Sequence, residues 1–410
     1  MKLRKLAFAM LFIGGAAISA QVVPATNGPT GLPASGTLHY DLRYSQAAQF
    51  YGENLGNVQS SAASGELTYA NLSESRPLSL TYSGGDRWNI SGGSSGTGVF
   101  QHLLVSQGVL GRNWALSLRD DLSYMPQAPT TGFSGIPGVG GLPGQPDQPS
   151  QPILTLNTRS IYNTLNPSFT HSLDHATSLG INGSYGILRF PHGDGLEMNQ
   201  WQLSPQVSRR LNGLNSISGE YAFSRFSYPG FAITMETHSA KFGCQRAWNR
   251  RLKTSAFAGP QWIRGSDSLK IPSSINLAVN ANATYETSVT SANLSYSQAA
   301  TGGAGVATTI GVHNQDLRAV LSRQFGRTLS LGANGAFMRT QGLHQSGVTN
   351  GKFGGVTATK RLGRYVIVFA NYSAIQQSSS SALPTNAIRG LSHVVGFGIG
   401  YSPREMHFKK

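Results

Sequence analysis

The densest group of residues that could perform chemistry is the segment HSLDH, which contains His171, Asp174 and His175. Imidazole and carboxylate groups are zinc ligands, but a zinc site needs a fourth donor and a fixed tetrahedral geometry. The segment supplies only three candidate donors, and a short polar segment with an aspartate is also typical of a turn. We therefore expect a polar turn here, with no metal and no cofactor.

The single cysteine, Cys244, has no second cysteine with which to form an internal disulfide. Reactive cysteines sit beside groups that stabilise the thiolate, and no histidine lies at a useful spacing from Cys244. We expect a small buried residue at this position. Serine, histidine and acidic residues are scattered along the chain without a local catalytic motif, so the sequence does not predict an enzyme.

Four short basic segments recur in the second half of the chain, and they indicate which structural elements must position any site. They are RRLNGLN from Arg209, RAWNRRL from Arg246, RQFGRTL from Arg323 and KRLGRYV from Lys360, with a further tight turn near Glu286. The turn centres lie about 37 to 39 residues apart, which is a period typical of repeated supersecondary units. The content of each period therefore decides the fold.

Between these turns the chain alternates apolar and polar residues with a period of two, which indicates strands. Ile275, Leu277 and Val279 fall on one face, whereas Asn276 and Asn280 fall on the other. Each period holds two strands of about ten residues, a tight turn and a longer loop, which is the pattern of a transmembrane β-barrel. The sequence predicts an all-β, antiparallel, up-and-down transmembrane barrel.

The number of strands follows from the number of turns. Eight short turns imply about 18 strands, with 16 to 20 possible. They are predicted near residues 73–77, 108–113, 171–177, 211–215, 248–252, 286–289, 325–328 and 362–365. One interval is longer because a Pro/Gly-rich insertion interrupts it, and this insertion predicts a long external loop over residues 125–156.

The first twenty residues have the pattern of a secretory signal peptide. Lys2, Arg4 and Lys5 precede an apolar run from Leu6 to Ile13, and small residues end at Ala20. Removal of these three cations lowers the net charge from +15 to +12. An exported basic chain rarely meets nucleic acid, so we do not expect a nucleic-acid partner. The predicted organisation is a signal peptide at 1–20, a short segment at 21–36, the barrel at 37–402 and a tail at 403–410.

The alternation, the short turns and the final amphipathic strand Val395 to Tyr401 resemble the porin-like outer-membrane β-barrels of Gram-negative bacteria. The resemblance is architectural and covers nearly all of the mature chain. It implies an outer-membrane location, short turns in the periplasm, longer loops outside, and recognition of the last strand by the outer-membrane assembly machinery. Residues Pro403 to Lys410 follow that strand and include Phe408, so the chain departs from the usual closing aromatic residue. The number of subunits in any oligomer is left open.

Along each predicted strand, the positions that alternate with the apolar face should point inward, and we call this inward parity. Residues of inward parity are candidates for the wall of an aqueous lumen. Their charges are few and of both signs, which predicts a weak preference between cations and anions. The alternative for Arg43 with Asp41, and for Arg119 with Asp121, is a purely structural ion pair. The lumen candidates are His39, Asp41, Arg43, Arg119, Asp121, Asn182, Glu220, Asn276, Asn280 and Asn282.

Four arginines lie on the apolar face at the ends of predicted strands that run towards the long loops. They are Arg189, Arg225, Arg264 and Arg339. Near the membrane interface such a residue costs little, about 0–1 kcal/mol. The functional hypothesis for these four arginines is contact with phosphates of lipopolysaccharide through bidentate guanidinium hydrogen bonds. The alternative is simple snorkelling of these side chains beside aromatic residues. Basic residues of the short turns suit anionic phospholipid headgroups, or are merely solvated.

Three features of the sequence conflict with regular strands. Pro167, Pro205 and Pro260 lie inside proposed strands, and we expect them at bulges or near strand ends. Segments 231–248 and 306–325 lose their alternation partway, and a bulge would explain this. The Pro/Gly-rich loop contains only Asp147 as a charged residue, so it does not predict an acidic constriction and suits a surface loop as well as a plug.

The leading prediction for function is a passive channel for small hydrophilic solutes or an exported polymer. A structural or adhesive barrel with a plugged lumen, which binds surfaces or polysaccharide through its loops, is the main alternative. A secreted soluble all-β protein, such as a propeller or solenoid, is a second alternative.

Overall fold

The computed structural model describes residues 36–50, 57–71, 73, 75–91, 98–125, 159–191, 195–231, 233–265, 273–303, 310–343, 347–380 and 390–408. The predicted signal peptide, nearly all of segment 21–36 and the Pro/Gly-rich insertion lie outside these residues. Within them, no helix is long and apolar enough to cross a membrane.

Eighteen long strands and one short strand make up the described structure. They are β1 Gly36–Phe50, β2 Val58–Asn71, β3 Leu78–Ser91, β4 Gly98–Leu110, β5 Trp114–Met125, β6 Ser160–Ser172, β7 Thr177–Arg189, β8 Met198–Arg210, β9 Asn215–Tyr228, β10 Ile233–Ala247, β11 Leu252–Gly265, β12 Ser274–Glu286, β13 Thr290–Thr301, β14 Val312–Phe325, β15 Leu329–Gly342, β16 Val348–Leu362, β17 Val366–Ser379, β18 Gly390–Tyr401 and β19 Met406–Phe408.

Each long strand pairs antiparallel with the next, and the sheet closes where β1 pairs with β18. The closing ladder runs from Leu42 opposite Tyr401 to Phe50 opposite His393. The prediction of a closed, up-and-down barrel of about 18 strands is therefore confirmed. Residues expected to form a tail also join the sheet, because β19 pairs with the first residues of β1.

The eight predicted short turns coincide, to within a few residues, with connections at one end of the barrel, which we call the short-turn end. The opposite end is the long-loop end. The long strands are 12 to 15 residues in length, which is longer than the ten or so residues that the sequence predicts, and this shortens some of the connections at the long-loop end. For example, β1 continues to Phe50 and β2 begins at Val58.

Two kinds of local chemistry make the short turns. In one kind, a side-chain oxygen accepts hydrogen bonds from backbone N–H groups two and three residues later. Asp174 does so at 2.6 and 2.7 Å, Asn212 at 2.9 and 2.8 Å, and Asn249 at 2.8 and 2.8 Å. In the other kind, Gly326 and Gly363 adopt φ values of 63° and 69°, which only glycine adopts readily. The basic repeats are therefore turns.

The outer face of the sheet is apolar. The inner face is polar at mid-height, which means about halfway between the short-turn end and the long-loop end. Leu116 and Leu118 are exposed on the outside of β5, whereas Asp121 and Ser123 of the same strand are buried on the inside. β18 alternates exposed Phe397 and Ile399 with glycines. Such an outer face suits contact with lipid hydrocarbon.

The three prolines lie in the middle of strands, so their expected placement at bulges or strand ends is wrong. Pro167, Pro205 and Pro260 all have outward parity in β6, β8 and β11. Each ladder is interrupted beside its proline on one side, but the register is the same above and below the interruption. The missing N–H is therefore tolerated without a shift of register. The described ladders contain one register shift, at Gln59 and Ser60.

The loss of alternation in segment 231–248 does not come from a bulge, because β10 keeps one register with β9 over its whole length. Instead, the inner face of β10 changes character along the strand. Met235 faces inward and is fully buried, whereas Glu236 and His238 face outward. The inner wall is thus apolar near the long-loop end.

Candidate functional site

The lumen wall is the candidate functional site. The ten residues selected as lumen candidates all have inward parity, since in β1, β5, β7, β9 and β12 the exposed large apolar side chains occupy the opposite parity. Their role in permeation stays a prediction. Several of them take part in ion pairs at mid-height of the wall.

The first group of charges lies on β1 and β2. Arg43 Nη2 lies 2.5 Å from Asp41 Oδ2 and 4.0 Å from Glu66 Oε2. Nearby, His39 Nε2 lies 3.3 Å from the hydroxyl of Ser402. One arginine therefore interacts with two carboxylates on this part of the wall.

The second group lies on β4 and β5. His102 Nε2 lies 3.0 Å from Asp121 Oδ1, and Arg119 Nη2 lies 3.8 Å from Asp121 Oδ2. Asp121 is only 1% exposed, so this carboxylate interacts with neighbouring protein groups and presents little surface to the lumen. The expected pairing of Arg119 with Asp121 thus includes a histidine that sequence reasoning missed.

Two further ion pairs lie on the described part of the wall. Lys241 Nζ lies 2.9 Å from Glu220 Oε1, across the β9 and β10 ladder. On β14, the Arg318 guanidinium donates two hydrogen bonds to Asp316 Oδ2, at 2.9 and 2.5 Å. Sequence reasoning missed Lys241, Asp316 and Arg318. Lys241 and Glu220 are equally distant from the connection between their strands, and this symmetry is the signal that could have paired them.

Every mid-height carboxylate named here lies within 4.0 Å of a cationic group or of a histidine. Arg87 adds a further buried inward cation, and its Nη2 donates to Gln49 Oε1 at 3.1 Å. Paired charges present weaker net fields to a passing ion than isolated charges do. The described wall therefore carries charge without a strong excess of either sign.

Neutral polar groups fill the wall between the ion pairs. Ser168 donates to Asn182 Oδ1 at 2.8 Å, and Asn282 accepts from Thr284 at 2.9 Å. Asn280 is inward and exposed. Amides and hydroxyls of this kind can replace part of the hydration shell of a neutral polar solute.

Near the long-loop end, the inner face of β6 to β11 is instead apolar and buried, and we call this region the mouth cluster. The polar lumen that alternation predicts does not extend to this region. The mouth cluster contains Tyr162, Leu188, Phe190, Met198, Phe226, Tyr228, Met235, Ile263 and Ala300.

The last member, Ala300, comes from β13 and belongs to a strand end that folds into the barrel. Gln261 of β11 donates to the Ala300 carbonyl at 2.9 Å and accepts from the Ala300 N–H at 2.7 Å. The Tyr228 hydroxyl donates to the carbonyls of Gly302 and Gly303. A Cβ at Gly302 would lie 2.5 Å from the Phe226 ring, so only glycine permits this approach.

This inward strand end narrows the lumen on one side. The sequence suggested that an inward element, if present, would come from loop 125–156, and residues 126–158 lie outside the described structure. The observed element is the end of the hairpin formed by β13 and β14. Local sequence gave no signal of it, because its anchors are on β9 and β11.

The four outward arginines have different surroundings. Arg189 lies 3.7 Å from Glu197 and donates to Asn199 Oδ1 at 2.6 Å. Arg225 lies 3.8 Å from Glu236, and Arg264 stands directly opposite Glu236 in the next ladder. Arg339 is opposite Gln315 and Asn350, which are polar but uncharged.

At the short-turn end, outward cations stack on outward aromatic rings. The Arg246 guanidinium lies 4.0 Å from the Trp248 ring centroid, and Arg323 lies 5.1 Å from that of Phe325.

The free Cys244 is exposed on the same outer face, so its expected burial is wrong. The segment of His171 and His175 forms a turn capped by Asp174, and no metal-binding group of three such residues occurs within the described ranges.

Comparison with solved structures gives likenesses to several bacterial proteins, among them a porin. OccAB3 of Acinetobacter baumannii is 9% identical, with 90% of this chain and 99% of that chain covered and a TM-score of 0.45. OccK2 (OpdF) of Pseudomonas aeruginosa is 11% identical, with 90% and 98% covered and a TM-score of 0.45. A BenF-like porin from Pseudomonas fluorescens Pf-5 is 10% identical, with 88% and 98% covered and a TM-score of 0.45.

No protein-family model and no curated protein matches the chain. The barrel fold follows from the strand pairing of this chain itself, from β1 through β18 and back to β1.

Proposed function

We propose that the protein is a passive channel for small hydrophilic solutes in the outer membrane of a Gram-negative bacterium. The observation that carries this proposal is a closed barrel of 18 long strands whose mid-height inner wall is polar and whose outer face is apolar. Barrels of about 16 to 18 strands are wide enough to leave an aqueous passage. An exported polymer could use the same polar wall.

Solutes would diffuse along hydrated amides, hydroxyls and paired charges, without a covalent step or cofactor. Because Asp41, Asp121, Glu220 and Asp316 each have a nearby positive or imidazole partner, the wall favours neither cations nor anions strongly. Uncharged or zwitterionic polar solutes are the class that this wall fits best. The hairpin end held by Gln261 would limit their size.

The test is single-channel recording in planar bilayers with protein whose heat-modifiable electrophoretic mobility shows correct folding. We expect discrete current steps and a small reversal potential in a salt gradient. Repeated absence of current from folded protein would reject the channel.

A structural or adhesive barrel with a plugged lumen is the second candidate. It is favoured by the burial of inward residues such as Phe100, Arg87 and Asp121, which are nearly inaccessible although they belong to the inner wall. Folded protein without current, together with binding of cells to polysaccharide surfaces, would support this function over the channel.

We further propose that the outward arginines contact lipopolysaccharide phosphates and that the assembly machinery recognises the last strands. Arg225 and Arg264 flank Glu236 on adjacent strands, and such a row can bind phosphate directly or through a shared divalent cation. Neutralisation of all four arginines should reduce co-purifying lipopolysaccharide. Unchanged co-purification and unchanged assembly in membrane fractions would contradict this partner.

A further inference from the structure

The barrel wall forks between β12 and β13 near the long-loop end. Their ladder runs from Glu286 opposite Ser291 to Val279 opposite Gln298 and stops there. β12 nevertheless continues to Ser274, still paired with β11, and β13 continues to Thr301, still paired with β14. Residues 274–278 of β12 therefore have no partner strand on the β13 side.

The fork is held open by specific contacts. The diverted end of β13 is bound to Gln261 through both the N–H and the carbonyl of Ala300. The Tyr228 hydroxyl donates to the Gly302 carbonyl, and Gly302 packs against Phe226. These anchors lie on β11 and β9, two and four strands away from β13. Since frayed strands would make no such contacts, the separation is part of the fold.

Polar side chains close the base of the fork. Gln298 donates to the Leu277 carbonyl at 3.4 Å and accepts from the Tyr296 hydroxyl at 2.7 Å, and His313 lies 3.5 Å away. An unpaired strand edge in hydrocarbon is costly, so a side chain that satisfies the first free carbonyl stabilises the end of the ladder. The opening thus begins at a defined point, just above Leu277.

The outer border of the fork is apolar with one cation at its top. Ile275 is 70% exposed and Leu277 is 54% exposed, and Trp262 stands directly opposite Ile275 on β11. Arg264 lies two residues above Trp262 on the same face and is exposed. Glu236 stands directly opposite Arg264 but forms its ion pair with Arg225, at 3.8 Å, and the ion pairs of the described residues include none of Arg264.

We propose that this fork is a lateral opening that binds an anionic single-chain amphiphile, such as a long-chain carboxylate, and connects the lumen with the outer leaflet. The hydrocarbon chain would lie along Trp262, Ile275 and Leu277, and the carboxylate would accept hydrogen bonds from Arg264. Inside the fork, the mouth cluster continues the apolar surface through Ile263 and Met235. This route does not depend on conduction through the lumen.

The first experiment tests whether the wall is open. In a Cys244→Ser background, the double variant Asn276→Cys/Thr301→Cys would join residues that face each other only if the ladder continued in register. The matched control is Asn280→Cys/Ser297→Cys, which face each other in the observed ladder. We expect a disulfide in the control and little in the test pair under mild oxidation. Equal cross-linking of both pairs would overturn the fork.

The second experiment tests the ligand with 11-bromoundecanoate, whose bromine quenches tryptophan fluorescence on contact. One variant keeps Trp262 and replaces the other four tryptophans with phenylalanine, and its matched control keeps only Trp201 of β8. We expect saturable quenching of Trp262 and only gradual, unsaturated quenching of Trp201. Both proteins are first shown to be folded by heat-modifiable mobility. Absence of saturable quenching at Trp262 would overturn the binding site.

The third measurement tests the assignment of the carboxylate to Arg264. Arg264→Gln in the Trp262 variant should weaken the probe about ten-fold, because a charge-assisted hydrogen bond is lost. The control Lys352→Gln removes an outward cation on β16 and should leave the affinity unchanged. Equal affinities of the Arg264 variant and its parent would overturn the proposed head-group site. Since all three readouts are independent of current, failure here and failure of the channel are distinguishable.

Discussion

The two ends of the barrel are built on different principles. At the short-turn end, Asn212, Asn249, Gly326 and Gly363 shape four of the connections by chemistry inside the connection itself. At the long-loop end, the β13 end is held by Gln261 of β11, two strands away along the chain. One end is therefore determined by local turn preferences, whereas the other is determined by contacts between distant strands.

The inner wall also differs along the barrel, from polar at mid-height to apolar near the long-loop end. β9 carries Glu220 at mid-height but Phe226 and Tyr228 near the long-loop end, and β10 carries Lys241 and then Met235. Inward parity therefore means contact with water at one height and contact with a dry apolar cluster at another. A substitution that places charge on the inner face should have opposite consequences at the two heights.

The largest effect is expected for Met235→Asp. Met235 has 0% exposure in the mouth cluster, and burial of a charge without a partner there should cost about 3 kcal/mol or more. We expect a large fall in the temperature at which the folded band disappears in heat-modifiable electrophoresis. Asn280→Asp, which places the same charge on the exposed mid-height wall, is the control and should change that temperature little. Similar falls in both variants would remove the distinction between dry and wet inner faces.

The next effect is expected for Gln261→Ala. The variant loses two hydrogen bonds and leaves the N–H and carbonyl of Ala300 unsatisfied, at a cost of about 1–3 kcal/mol. The hairpin end should leave the inner wall, so we expect faster proteolysis of that hairpin and larger, noisier single-channel currents. Gln202→Ala serves as the control, because the hydrogen bonds of Gln202 in the described structure are with the side chains of Gln200 and Ser204 on its own strand. Protease resistance equal to that of the parent protein would show that Gln261 does not hold the hairpin.

These two variants also mark the limit of what sequence can predict. The fold class, the strand number and the turn positions follow from alternation and from Asn and Gly in the turns, since both act over a few residues. The inward parity of residues such as Asn182 and Asn280 follows from alternation as well. The mouth cluster does not, because apolar residues such as Met235 face inward and break the expected pattern. The hydrogen bonds between Ala300 and Gln261 do not follow from the sequence either, because they depend on how the closed barrel places β11 beside the hairpin end.

A smaller effect is expected from the ion pair of Lys241 and Glu220, which is 2.9 Å long and only partly exposed. Lys241→Gln leaves a negative charge at the wall, so permeability for potassium relative to chloride should rise about two-fold. Glu220→Gln should shift the reversal potential in the opposite direction, and the double variant should return close to the parent value. A shift of the same sign in both single variants would contradict direct pairing in the lumen.

The smallest effect is expected at the short-turn end, from Asp174. Backbone N–H groups of Ala176 and Thr177 donate to its carboxylate and lower the pKa of Asp174 below its usual value. A carboxyl group whose pKa is lower in the folded state stabilises the fold above its unfolded pKa, which is about 3.9, and loses that contribution as the pH falls through the lower folded value. We expect a small loss of stability below about pH 4 in the parent protein. Asp174→Asn keeps a side-chain oxygen that accepts from the same N–H groups but does not titrate, so the difference between the two proteins in unfolding temperature should depend on pH only in this acid range. Because the turn is local, the variant should leave the currents and the protease resistance of the β13 and β14 hairpin unchanged, and a change in either would show that the two ends of the barrel are coupled.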